Sequence, residues 1–186
     1  MATPITATFV VEHLDPELEA WSSLEYAAIA RESRAAGCRF LLSSVPETLR
    51  LPENLARVDG LEVEHDSVEN LFEKPKVCLL DPAAQQELSP ADGDRFDVFL
   101  FGGILGDDPP RDRTSELLRV TRMVVRDRIP LEEILFVDNP EVRVDKHEST
   151  EMPFRYVTDK TGQPIMPDGM IDLIKKDSER GFGDLL

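Results

Sequence analysis

Four short runs, apolar almost throughout, limit the architectures open to this chain: Phe9-Val10-Val11, Phe40-Leu41-Leu42, Val77-Cys78-Leu79-Leu80 and Phe96-Asp97-Val98-Phe99-Leu100-Phe101. A strand with one wet face alternates apolar and polar residues, and these runs do not. Both of their faces are therefore expected to be covered, which is the pattern of an α/β protein with a mainly parallel sheet and helices on both faces. The runs beginning at Val77 and Phe96 are expected at the centre of that sheet.

Helical spacing fills the gaps. From Glu17 to Ala36, the residues Leu18, Trp21, Leu24, Tyr26, Ala28 and Ile29 recur every three to five positions, and Gly37 stops the run. Pro46-Glu47-Thr48 opens a possible short helix that Pro52 would limit, ahead of a candidate strand at 60–64. A further helix is predicted over 114–128, with Leu117, Thr121, Val124, Val125 and Arg128 on one face and Pro130 beyond its end. Ile134-Leu135-Phe136-Val137 reads as the next strand, Met152 to Val157 as an edge strand and 168–176 as a last helix. Length and the absence of an internal repeat or linker favour one domain spanning 1–186.

Ligands in open parallel sheets bind beyond the carboxyl ends of the strands. Those ends fall at Glu12-His13, Asp81, Gly102-Gly103 and Asp138 to Glu141, so carboxylates and glycines are expected along one edge. Three glycines in Gly102-Gly103-Ile104-Leu105-Gly106 allow close backbone approach to a planar ligand, or simply a tight turn. The spacing is that of neither a dinucleotide fingerprint nor a phosphate loop. Glu12, Asp107, Asp108, Asp138 and Glu141 can form a pocket for a cation, or can cap helices and stay solvated. His13, His65 and His147 have no ligand spacing, so no metal is expected.

Charge narrows the partners. Acidic residues number 37 against 21 basic ones, a formal net charge of -16. Nucleic-acid binders draw their non-specific affinity from Lys and Arg, which are outnumbered here, so no direct nucleic-acid contact is expected. A basic protein partner suits such a surface, although net charge also serves solubility alone. Cys38 and Cys78 lie in apolar runs as small hydrophobes and make no disulfide framework. No apolar run nears the roughly 20 residues that span a bilayer. The N-terminus lacks a basic region ahead of an apolar stretch, and the expected compartment is the cytoplasm.

Several blocks together resemble the SPOUT-class protein arginine methyltransferases of fungi: Val77 to Pro82, Phe101 to Asp107, Pro109 to Thr114, Thr150 to Val157 and Gly169 to Asp177. Glu12-His13, Trp21 and Leu24-Glu25-Tyr26 extend the similarity to nearly the whole chain. The resemblance implies a SPOUT-like fold with a deep trefoil knot, S-adenosyl-L-methionine as cofactor, and a monomer that methylates an arginine of a basic, small-subunit ribosomal protein. By motif match, Leu79, Leu80, Gly102, Gly103, Ile104, Leu105 and Gly106 fall where the family lines its cofactor site.

One departure stands out, because Leu118-Arg119 runs directly into Val120-Thr121 where related chains carry a further segment with a strand. The resemblance assigns that segment to the knot and to the loop that closes over the cofactor, both of which it implies are incomplete here.

Methyl transfer to a guanidinium asks for a carboxylate to hold the fork and another to receive a proton. The candidates are Glu141 to orient the guanidinium, Asp107 to accept the proton and Asp138 in support. Two rivals remain open. An RNA methyltransferase of the same class predicts a basic groove, and a non-catalytic relative lacking part of the cofactor loop predicts no cofactor binding.

Overall fold

The computed structural model describes residues 6–81, 83–102, 114–144, 149–152 and 154–183, with side chains described up to 176. The chain divides into two compact units, 1–134 and 135–186.

In the first unit, β1 (Thr8–Glu12) leads to α1 (Ala20–Ala35) and back to β2 (Arg39–Ser43). The Pro16 turn and an extended Glu19 delay α1 to Ala20, three residues after the expected start. Its end is a Schellman motif: Gly37 takes φ +73°, its N–H reaches the Arg34 carbonyl, and the Cys38 N–H reaches that of Ser33 at 2.8 Å. The short α2 (Glu53–Ala56) starts after Pro52, which caps it rather than limiting an earlier helix; Pro46 to Leu49 is only a turn. Then follow β3 (Leu61–Val63), α3 (Val68–Leu71), β4 (Val77–Leu80), α4 (Asp92–Arg95), β5 (Val98–Gly102) and α5 (Thr114–Val125).

The five strands form one parallel sheet in the order β3-β2-β1-β5-β4. Central β1 sets the register, with Val10 opposite Leu41 on one side and Leu100 on the other. Phe9, Phe40 and Phe99 are fully buried, and the Phe9 and Phe99 rings lie 6.1 Å apart. Expectation and structure part at β4, which its sequence placed at the sheet centre and which the strand order places at the edge. Leu79 is accordingly 57% exposed.

α1 and α5 pack together and run the same way. Ser115 donates to Glu25, Arg119 to Glu32, and Arg126 to the carbonyl of Ala36 at the end of α1.

The second unit is antiparallel. β6 (Phe136–Asp138) pairs with β9 (Arg155–Val157), and β7 (Glu141–Arg143) with β8 (Ser149–Glu151), ahead of α6 (Met170–Gly183). The strand expected at 134–137 thus does not join the parallel sheet; it begins at Phe136 and has an antiparallel partner. Val142, Met152, Tyr156, Val157 and Met170 are buried. No helix among the described residues is long and apolar enough to cross a membrane.

Candidate active site

Parallel pairing brings the carboxyl ends of β1, β2, β4 and β5 to one edge, with Glu12 opposite both Ser43 and Gly102 and Leu80 opposite Phe101. The Glu12 carboxylate has a structural task there. It accepts from the Ser44 hydroxyl at 2.9 Å and from the Val68 N–H at 3.2 Å, at the start of α3.

His13, placed by the sequence at the end of the first strand, was given no role there. It has no metal-ligand spacing, yet it follows β1 at this edge and is only 5% exposed. Its N–H reaches the Ser43 carbonyl, and its Nδ1 lies 3.2 Å from the Tyr26 hydroxyl with the two rings edge to face. Nε2 is buried and has no hydrogen-bond partner among the described residues. Burial pushes the imidazole down from its ordinary pKa against the upward pull of Asp15. Burial, and then the nearby Glu25 and Asp15 charges, push the Tyr26 phenol up. Both rings are therefore neutral at neutral pH.

Two of the residues expected to line a cofactor site do line a cavity. Leu79 and Leu80 border a space of about 580 Å³ together with Cys78, Asp81, Leu88 and Phe96. Burial, the largest effect, raises the thiol pKa of both Cys78 and Cys38, so neither has the low pKa of an activated nucleophile. At Gly102 a Cβ atom would meet nothing within 4 Å. Among the described residues, no close packing demands glycine there. Gly103, Ile104, Leu105, Gly106 and Asp107 lie outside the described residues, as does Asp108.

The other candidate carboxylates belong to the second unit. Both oxygens of Asp138 accept from Arg155, at 2.6 Å from Nε and 3.2 Å from a terminal nitrogen. That fork holds the Asp138 carboxyl below its ordinary pKa. Asn139 follows in the left-handed region at φ +47°, which Asn tolerates better than most residues, and its N–H reaches the Phe154 carbonyl. Glu141 accepts from the Ser149 hydroxyl and stands directly opposite Glu151 across the β7–β8 pair, both of them exposed. Like charges facing each other on an antiparallel pair repel. A cation placed between them would turn that repulsion into attraction.

A five-stranded parallel sheet with helices between its strands defines the class: an α/β protein, whose ligands as a rule bind beyond the carboxyl ends of the strands. Residues 8–120 and 117–181 match the family described as "Protein arginine N-methyltransferase SFM1-like". The chain belongs to that family, and its α/β fold is SPOUT-like. It is 41% identical over 213 residues to the protein arginine N-methyltransferase SFM1 of Saccharomyces cerevisiae, covering 96% of this chain and 99% of the yeast protein. The crystal structure of the yeast enzyme complexed with SAM superposes with a TM-score of 0.80, at 40% identity over 95% of this chain and 94% of the other. Its complex with MTA gives a TM-score of 0.77 at 37% identity, covering 90% and 100%.

Proposed function

We propose that this chain, a protein arginine N-methyltransferase by family with S-adenosyl-L-methionine as its cofactor, modifies an arginine of a basic, small-subunit ribosomal protein. The observation that carries the reading is the 41% identity to the yeast enzyme across 96% of the chain. The net charge of -16 supports a basic protein as the partner, since opposite fields speed encounter, and disfavours RNA. We place the reaction in the cytoplasm and assign it to a monomer.

The cofactor supplies an electrophilic methyl group on a sulfonium. Leu79 and Leu80, on the cavity wall, and Gly102, uncrowded among the described residues, are suited to hold its apolar and planar parts. The same role is proposed for Gly103, Ile104, Leu105 and Gly106 from the family resemblance alone.

The task left to the protein is to hold one guanidinium nitrogen in line with that methyl group. Glu141 takes the orienting role in this proposal, an exposed carboxylate opposite Glu151 whose negative charge suits a guanidinium. Asp138, already occupied by Arg155, supports that segment rather than touching the substrate. Asp107 accepts the proton that nitrogen loses as its bond to carbon forms and the carbon–sulfur bond breaks.

The test is Glu141→Gln. Losing a charged hydrogen bond worth about 1.5–3 kcal/mol should slow methyl transfer roughly tenfold to a hundredfold. Cofactor affinity by calorimetry should stay within about twofold, because the residue holds the substrate and not the cofactor. Equal losses in both would remove Glu141 from this role.

A further inference from the structure

Glu12 ends the central strand of the sheet, and its carboxylate is only half engaged. One oxygen, Oε1, accepts from the Ser44 hydroxyl at 2.9 Å and from the Val68 N–H at 3.2 Å. The other, Oε2, has no hydrogen bond or ion pair with any described residue. Holding the start of the one-turn α3 accounts for the first oxygen and not for the second, since a neutral Ser or Asn side chain caps a helix equally well.

The engaged oxygen is fixed on a rigid platform. Ser44 takes φ +56°, a region uncommon outside glycine, and its N–H reaches the Asp66 carbonyl at 2.9 Å. The Val45 N–H reaches the Glu64 carbonyl at 3.1 Å, and His65 Nδ1 donates to the Val45 carbonyl at 2.7 Å. The loops after β2 and β3 are thereby tied to each other, and Glu12 is tied to both.

A second polar group stands beside the carboxylate. Ser43 is the register partner of Glu12 in β2, so the two side chains leave the sheet on the same face. Its hydroxyl is fully buried and has no partner among the described residues. Hydrogen-bonding capacity left over on two neighbouring side chains at a strand end calls for an explanation.

On its other side Glu12 stands opposite Gly102, one strand spacing of about 4.8 Å away. The family resemblance places Gly102 at the cofactor, which makes β1 the neighbour of the strand that holds the methyl donor. What Glu12 lacks is a cationic donor. A guanidinium is one, carrying five N–H groups, a fixed positive charge and no acceptor.

We propose that Glu12 is a substrate-binding residue of the methyl-transfer site: its second oxygen takes an N–H of the target guanidinium, while Ser44 and Val68 hold the carboxylate in place. The proposal rests on the reading of this chain as an arginine methyltransferase and adds to Glu141 a carboxylate on the parallel sheet.

The test is Glu12→Gln in the full chain. Glutamine keeps an oxygen for Ser44 and Val68 but puts a donor where Oε2 stands, and a guanidinium offers only donors. A purely structural Glu12 therefore tolerates the change, and a substrate-binding one does not. The probe is N-acetyl-arginine methylamide, with the neutral citrulline compound as control, and the readout is the amide NMR signals of Ser44 and Val68 with S-adenosyl-L-methionine present. The arginine compound should shift both signals saturably and the citrulline compound neither. Glu12→Gln should weaken the arginine compound about tenfold to a hundredfold and leave the thermal midpoint unchanged.

No shift at Ser44 and Val68 in the native chain, equal shifts with citrulline, or equal affinity in Glu12→Gln would overturn the proposal. Should Glu12→Gln fail to fold, the native titration with the two compounds decides alone. Methyl transfer to basic ribosomal proteins is measured alongside. Arginine-dependent shifts in a native chain that methylates none of them would support Glu12 and remove the ribosomal substrate, whereas transfer that Glu12→Gln leaves unchanged would overturn Glu12 alone.

Discussion

Arg119 on α5 donates from Nε to the Glu32 carboxylate on α1 at 3.0 Å, and its guanidinium is only 2% exposed. Glu116, one turn earlier on α5, takes a second arm of the fork. Arg119 lies within 117–120, where the two family matches overlap. α5 keeps its seat on α1 through this turn.

Removing one partner of a buried pair leaves the other charge unpaired, at a cost of about 3–5 kcal/mol. Glu32 retains 32% exposure, and water offsets part of that cost. Arg119→Met should therefore destabilise the chain by about 3 kcal/mol, the low end of that range, as read from urea denaturation. A loss below about 1 kcal/mol would show that the pair contributes no more than a surface bridge.

Two glycines predict opposite outcomes. A Cβ at Gly93 would sit 2.3 Å from the Val125 carbonyl oxygen, a backbone atom that cannot swing aside, whereas one at Gly102 would meet nothing within 4 Å. Gly93→Ala should cost about 1–3 kcal/mol by overpacking. Gly102→Ala should leave the thermal midpoint unchanged or slightly raised. If the cofactor occupies the space at the end of β5, the same substitution lowers its affinity severalfold. Unchanged affinity at Gly102→Ala would move the cofactor away from this strand end.

Much of the first unit was legible in the sequence because its signals are local. The unbroken apolar runs gave β1, β2 and β5, and the spacing from Leu18 to Ile29 with Gly37 behind it gave α1. The position of β4 was not legible, since a composition fit for the interior does not say whether a neighbour exists to cover it. Phe136 misled for a related reason: an apolar run shows that a strand forms but not its direction, and antiparallel pairing with Val157 depends on a contact 21 residues away. For the proposed site, Gly102 could be read from its place at a strand end, whereas Leu79 and Leu80 entered only through the family resemblance. The Asp138–Arg155 fork and the orphaned nitrogen of His13 could not, because each depends on what the folded chain brings beside it.

His13 also gives the chain a pH dependence whose direction is fixed by its surroundings. Its folded pKa is depressed below the ordinary 6.5 by burial, while in the unfolded chain it titrates near that value. Above pH 6.5 the residue is neutral in both states and contributes no pH dependence. As pH falls below 6.5 the unfolded chain takes up a proton that the folded chain refuses, so stability declines until the folded pKa is reached, and below it this contribution is constant. The unfolding midpoint in urea should thus drop between pH 7 and pH 5 in the native chain. His13→Gln keeps a polar group near the Tyr26 hydroxyl but removes the titration, and should flatten that part of the curve. The comparison between the two proteins matters more than either slope, because carboxylates titrating at lower pH act on both alike. An identical decline in the His13→Gln variant would show that another group, and not this buried imidazole, sets the acid sensitivity.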